Sequence, residues 1–153
     1  MNREIKFRGK CERGYDYSNG DGWVYGSLLQ MENECGIVKK EDIDLSPAID
    51  DGIKTIVDFA AIPVIPETVG QFTGLHDKNR KEIYEGDIVN FIYNPDFLKA
   101  SFIGIVGLNK YNHFCIFVHN IPIDYSTNEF HIENAMNGEI IGNIFDNPEL
   151  INN

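Results

Sequence analysis

The chain has 153 residues, enough for one compact domain or for a small barrel with an appendage. Hydrophobic residues make up 42% of the sequence, which argues against global disorder, and no apolar run approaches the ~20 residues of a membrane helix. The net charge of −11 disfavours nucleic-acid binding, because an acidic chain repels the phosphate backbone.

The cysteines and the N-terminal residues indicate a cytoplasmic protein. Cys11, Cys35 and Cys115 are widely separated and form no C-x-x-C pair, which favours free structural thiols in a reducing compartment. Bound metal or a redox role is the alternative for these thiols. The N-terminal residues lack the apolar core of a signal peptide, so we expect no export and no membrane association.

Three short strands are predicted near the N-terminus. Residues 4–8 alternate polar and apolar side chains, which is typical of a half-buried strand with Ile5 and Phe7 on its inner face. A glycine-rich loop leads to a returning strand at residues 23–29, where Trp23 and Tyr25 share a face and are expected to pair with Ile5 or Phe7. The third strand is predicted at residues 35–38.

The next segment is polar, acidic and less regular. Residues 39–51 predict a loop or one short helical turn, and residues 55–59 and 62–65 are rich in β-branched residues and predict extended chain. Pro63 places its strand at a sheet edge, because proline cannot donate a ladder hydrogen bond.

The C-terminal half predicts a small closed barrel. Five antiparallel strands are expected at residues 69–75, 83–93 with a bend at Gly86, 101–108, 113–118 and 139–144. Turns are predicted at residues 94–96 and 109–112, and residues 121–136 have an irregular pattern. Asn147 and Pro148 predict a terminal helical turn that Asn147 caps and that Leu150 and Ile151 dock.

Three ordered motifs resemble the YopX family of small phage and prophage proteins. The first lies at residues 3–10 and 23–28, and the last combines Ile141-Gly142-Asn143-Ile144 with Asn147-Pro148-Glu149-Leu150. The central motif comprises Gly70-Gln71-Phe72-Thr73-Gly74-Leu75, Asp77-Lys78-Asn79 and Lys81-Glu82-Ile83-Tyr84-Glu85-Gly86-Asp87-Ile88-Val89. Residues 39–62 carry no recognisable match.

The resemblance implies a fold and no activity. It implies a mainly β protein with minor α content, in which residues 67–153 form a five-stranded SH3-like barrel and residues 1–66 form an N-terminal β-containing portion packed on it. One position departs from the family: Arg80 stands where glycine commonly follows Asp-Lys-Asn. A type I′ turn needs positive φ at both central residues, so Arg80 favours another turn type.

Several polar groups have both a structural and a catalytic interpretation. Asp87 follows Gly86, and the better interpretation is that its carboxylate accepts hydrogen bonds from loop N–H groups. His113, Cys115 and His119 share one strand face, which allows zinc but lacks the usual spacing and a fourth ligand. Acidic pairs such as Asp50 and Asp51 are a weaker candidate for a divalent cation.

We expect a non-enzymatic interaction or regulatory module without cofactor or metal, in the cytosol of the host cell. No nucleophile elbow, phosphate loop, metalloprotease or dinucleotide motif is present. The expected partner is a host or phage protein, self-association is open, and a nucleic-acid-associated barrel with Phe72 or Tyr84 stacking on bases is the alternative. The candidate interaction surface comprises His76, Lys78, Arg80, Lys81, Arg3, Arg8, Trp23 and Tyr25.

Overall fold

The computed structural model describes residues 4–12, 20–30, 32, 34–39, 61–94, 100–119 and 128–151. Some predictions lie wholly or partly outside these ranges. They concern Arg3, the loop or helical turn at residues 39–51, the extended chain at residues 55–59 and the turn at residues 94–96. The described chain is mainly β, and its two antiparallel sheets are not closed. No described helix is long and apolar enough to cross a membrane.

The strands are short and are numbered in chain order. They are β1 Phe7–Lys10, β2 Trp23–Gln30, β3 Cys35–Val38, β4 Ile62–Val64, β5 Gly70–His76, β6 Glu82–Tyr84, β7 Asp87–Tyr93, β8 Ala100–Leu108, β9 Phe114–Phe117, β10 Glu129–His131 and β11 Glu139–Asn143. Helical turns of the 3-10 type occupy Pro66–Thr68, Ile132–Asn137 and Pro148–Leu150.

One compact unit runs from Ile5 to Val69. Its strands follow the order β4-β3-β2-β1, all antiparallel, around a core that includes Val24, Ile37, Ile62 and Val64. The predicted strands at residues 23–29 and 35–38 are confirmed. Pro63 lies in the terminal strand of this order, as its missing N–H predicts.

The prediction for the first strand was wrong in position and for the facing of Ile5, whereas Phe7 packs against the core of this unit as predicted. The strand begins at Phe7, and Ile5 precedes it with 69% of its surface exposed. Trp23 pairs with Lys10 and Tyr25 pairs with Arg8, so neither aromatic residue pairs with Ile5 or Phe7. The alternation at residues 4–8 therefore identifies the inner face at Phe7 but not at Ile5, because Ile5 lies before the start of the strand.

The second compact unit is built from Gly70 onward. Strands β5 and β6 form a hairpin, and the other strands form a sheet in the order β10-β9-β8-β7-β11. Its core contains the rings of Phe91, Phe102 and Phe130, with centroids 5.2–5.9 Å apart. Such offset and edge contacts stabilise aromatic pairs by roughly 0.5–1.5 kcal/mol beyond the burial of their area.

The irregular segment predicted at residues 121–136 contains structure. Strand β10 lies within this segment, and the helical turn Ile132–Asn137 continues past its end. Phe130 of β10 buries its ring in the core, which holds this strand in place. The predicted closed barrel is not confirmed, since the sheet is not closed and its order ends at β10 and β11.

The bend at Gly86 and the C-terminal helical turn are both present where the sequence predicts them. Gly86 has φ of +85° and separates β6 from β7, which confirms the bend within residues 83–93. The terminal helical turn is present at Pro148–Leu150, with Leu150 and Ile151 half-buried. The Asn147 side chain does not cap this turn; it instead accepts from the Asn143 N–H at 3.4 Å.

Candidate functional site

The predicted basic residues of the central motif lie together at the end of the β5–β6 hairpin. We call His76, Lys78, Arg80 and Lys81 the cationic tip, and all four are exposed. The Nζ atom of Lys78 lies 2.7 Å from Oε2 of Glu139, so this lysine is engaged within its own unit. Within the described part of the chain, the Arg80 side chain forms no hydrogen bond or ion pair.

The 77–81 loop that carries the cationic tip is organised by Asp77. This carboxylate is buried, with 5% of the residue exposed. Its Oδ1 accepts from the N–H groups of Asn79 at 2.8 Å and Lys81 at 2.9 Å. Its Oδ2 accepts from the N–H of Ile140, in the neighbouring strand β11, at 3.0 Å. The loop is therefore fixed both internally and to the sheet.

The hydrogen bonds of Asp77 determine its ionisation. Burial alone would raise its pKa. Hydrogen bonds from the N–H groups of Ile140, Lys81 and Asn79, together with the charge of Lys81, outweigh this effect, so the pKa lies below the ordinary 3.8. Asp77 is consequently a carboxylate at neutral pH. Its negative charge is used to hold the loop and faces inward.

Arg80 holds an unusual backbone conformation in this loop. Its N–H donates to the Asp77 carbonyl at 2.9 Å, which closes a four-residue turn, and its φ is +65°. Asn79 does not have a positive φ, so the turn is not type I′. The expectation of another turn type at Arg80 is confirmed. A residue with a Cβ atom in this left-handed region destabilises the fold by about 1–2 kcal/mol.

The 109–113 loop between β8 and β9 repeats the same arrangement. Asn109 Oδ1 accepts from the N–H groups of Tyr111 at 3.0 Å and His113 at 3.1 Å. Asn112 occupies the position of Arg80: its N–H donates to the Asn109 carbonyl, and its φ is +59°. Asparagine tolerates this conformation better than arginine, so the second loop is an internal reference for the first.

The remaining candidates in the N-terminal unit form a stack of cations on aromatic rings. The Arg8 guanidinium lies 4.8 Å from the Trp23 ring centroid, with Lys10 at 6.0 Å, and Lys6 lies 5.9 Å from the Tyr25 ring. Arg8 and Trp23 are each only 5% exposed, and Tyr25 is half-buried. The structure corrects the placement of Arg8 and Trp23 on an accessible surface, because each covers the other.

Other polar candidates have structural positions. Asp87 is 1% exposed, and its Oδ2 accepts from the Tyr84 N–H at 2.8 Å, which confirms the structural interpretation. Phe72 and Tyr84 are 3% and 1% exposed, so they offer no stacking face to a base. Cys115 is buried, whereas His113 and His119 are exposed, and among the described residues no group of three potential ligands could hold a metal.

Sequence reasoning located the cationic tip and missed the residue that fixes it. Asp77 was grouped with its basic neighbours. An Asp or Asn at the first position of a turn is a known local signal, and Asn109 repeats it. The hydrogen bond to Ile140 has no local signal at all.

The described chain is mainly β and divides into two compact units. Residues 7–152 match the family described as YopX protein. The chain belongs to the YopX family, and the resemblance of its three motifs is confirmed.

The chain was also compared with curated proteins and with solved structures. No curated protein matches the chain. Among solved structures, the chain is similar to protein EF1440 from Enterococcus faecalis, with 27% sequence identity and a TM-score of 0.37. The similarity covers 60% of this chain and 58% of that one.

Proposed function

We propose that this YopX protein is a non-enzymatic, phage-encoded interaction module that binds an acidic surface of a protein partner through the cationic tip. The observation that carries this proposal is the exposure and the backbone conformation of Arg80. It is exposed on a loop that hydrogen bonds fix, and it keeps a left-handed backbone that glycine would adopt at lower cost. Backbone strain of this kind is concentrated at functional sites.

The fixed loop gives the cationic tip a physical advantage in binding. Asp77 holds the backbone of the 77–81 loop before a partner arrives, so little ordering entropy is lost on association. Arginine presents a planar fork that pairs with a carboxylate through two hydrogen bonds, and such pairs are stronger than neutral ones. Lys81 adds positive charge beside it.

The other parts of the proposal have separate support. The non-enzymatic role rests on the catalytic motifs that the sequence lacks. A cytosolic location is supported by three cysteines that form no disulfide.

Nucleic acid is the competing partner, because phosphates also bind arginine. The burial of Phe72 and Tyr84 favours the protein partner, because it leaves neither ring free to stack on a base. The test is affinity capture from host cells with the wild type, Arg80→Gly and Asn112→Gly. We expect a partner retained by the wild type and by Asn112→Gly and lost by Arg80→Gly.

Two results would count against this function. Capture of no protein above background by the wild type would contradict a protein partner. A salt-sensitive mobility shift of DNA or RNA that Arg80→Gly abolishes would assign the cationic tip to nucleic acid instead.

A further inference from the structure

The Lys78 side chain of the cationic tip is paired with a carboxylate of strand β11. Its Nζ atom lies 2.7 Å from Oε2 of Glu139, and the two side chains are about half exposed, at 51% and 46%. Ion pairs with this exposure contribute little to folding stability, because water and salt screen both charges. The pair can therefore open without a large effect on the fold.

Backbone hydrogen bonds on both sides of Glu139 keep its carboxylate beside the cationic tip. The Lys78 N–H donates to the Gly138 carbonyl at 3.1 Å, and the Ile140 N–H donates to Asp77 Oδ2 at 3.0 Å. Glu139 lies between Gly138 and Ile140 in the chain. Because neither bond uses the Lys78 or Glu139 side chain, the two charged groups stay neighbours when their ion pair opens.

This arrangement affects how an acidic partner meets the cationic tip. A partner carboxylate that approaches Lys78 finds the Glu139 carboxylate already there, and like charges at short distance repel each other. Arg80 differs from Lys78, because its side chain forms no ion pair within the described part of the chain. Of these two cations, Arg80 is open to a partner and Lys78 must first be released.

We propose that Glu139 is an internal competitor of the acidic partner: it occupies Lys78 in the free protein and yields this lysine to a partner carboxylate on binding. The inference rests on the proposed function of the cationic tip and adds the residue that limits its affinity. After the exchange, the half-exposed Glu139 carboxylate is hydrated instead. Removing the charge of Glu139 should therefore strengthen binding.

The test titrates a synthetic hexaglutamate peptide into the full-length protein at low salt and follows side-chain signals by NMR. In the wild type, the signals of Lys78, Arg80 and Glu139 should shift together and saturate. Glu139→Gln should bind the peptide about two- to fivefold more tightly, and high salt should remove this gain.

Two further variants separate an exchange at Lys78 from a general change in charge. Glu149→Gln is the matched control, because Glu149 is exposed, lies beyond the other end of β11 and carries the same charge; its affinity should equal that of the wild type. Lys78→Met removes the cation but keeps the backbone bond to the Gly138 carbonyl. In that background, Glu139→Gln should give no further gain.

The outcomes distinguish this inference from the proposed function. Equal affinity of the wild type and Glu139→Gln, the same gain in the Lys78→Met background, or an equal gain in Glu149→Gln would overturn the competitor role of Glu139. Peptide binding that Arg80→Gly weakens would still support the proposed function in each of these cases. No binding of the peptide by either the wild type or Glu139→Gln would contradict both.

Discussion

The backbone N–H of Ile140 donates a 3.0 Å hydrogen bond to the buried carboxylate of Asp77, although the two residues are 63 positions apart. The Lys78 N–H also donates to the Gly138 carbonyl at 3.1 Å. These two bonds attach the hairpin loop to strand β11 at the end of the sheet order, where backbone groups otherwise lack a partner strand. The position of the cationic tip thus depends on Asp77.

Removing the Asp77 carboxylate should destabilise the second unit. Asp77→Ala leaves the N–H groups of Asn79, Lys81 and Ile140 without their acceptor, and we expect a loss of about 2–4 kcal/mol in the free energy of unfolding. Asp77→Asn keeps an acceptor for the loop but turns an amide toward Ile140, so its loss should be smaller. Urea unfolding of each variant measures both.

The matched control for these variants is Asn109→Ala. It removes the equivalent loop bonds between β8 and β9 and one exposed 3.4 Å side-chain bond to Glu129 of β10, but it leaves no buried backbone N–H of another strand without its acceptor, so we expect a loss of about 1 kcal/mol. A loss for Asp77→Ala no larger than that for Asn109→Ala would contradict the role of the Ile140 bond.

The stability contribution of Asp77 should depend on pH. Because its pKa is lower in the folded protein than the ordinary 3.8, the unfolded chain takes up a proton first as the pH falls. The contribution is fully present above the unfolded pKa and is lost as the pH falls through the folded pKa. Between about pH 5 and pH 3, wild type should lose more stability than Asp77→Asn. Parallel pH profiles of the two proteins would contradict this.

Replacing Arg80 with glycine should stabilise the fold. Glycine adopts positive φ without the side-chain penalty, and after its larger entropy loss on folding we expect a net gain of about 0.5–1 kcal/mol. Asn112→Gly, at the same position of the 109–113 loop, should change stability by only a few tenths of a kcal/mol, because asparagine already tolerates this conformation. Thermal and urea unfolding measure both. A destabilised Arg80→Gly would show that the arginine side chain stabilises the loop.

Two glycines of β8 should differ in their tolerance of a methyl group. A Cβ on Gly104 would lie 2.5 Å from Ile116 Cγ2 and 2.8 Å from the Phe117 carbonyl oxygen, so Gly104→Ala should cost about 1–3 kcal/mol. A Cβ on Gly107 would meet only the Phe117 ring, at 3.1 Å, and a small ring movement should limit the cost. Similar unfolding midpoints for both variants would contradict this packing.

The sequence predicted the strands whose apolar pattern is local. Most of the expected strands were found, including the terminal position of Pro63 in its sheet. Strand β10 was missed because it has three residues and one inward side chain, Phe130, whose stabilising contacts are with Phe91 and Phe102 in other strands. A three-residue strand gives no period that the sequence can show.

Only part of the candidate site was predicted, because the sequence shows local features and not contacts between distant residues. Arg80 was singled out because the YopX family commonly has glycine after Asp-Lys-Asn, and the turn preference of glycine then predicted another turn type here. The burial of Arg8 against Trp23 was not predicted, because it depends on the register between β1 and β2. The role of Asp77 depends on Ile140 and could not be read from the loop residues alone.

The most direct test of the proposed function compares partner binding and stability in the same Arg80 variants. For a partner captured by the wild type, Arg80→Gly should bind at least about tenfold more weakly while unfolding at higher urea, and Arg80→Lys should lose part of the affinity because it keeps the charge without the fork. Asn112→Gly should bind like the wild type. Unchanged partner affinity of Arg80→Gly would contradict the account.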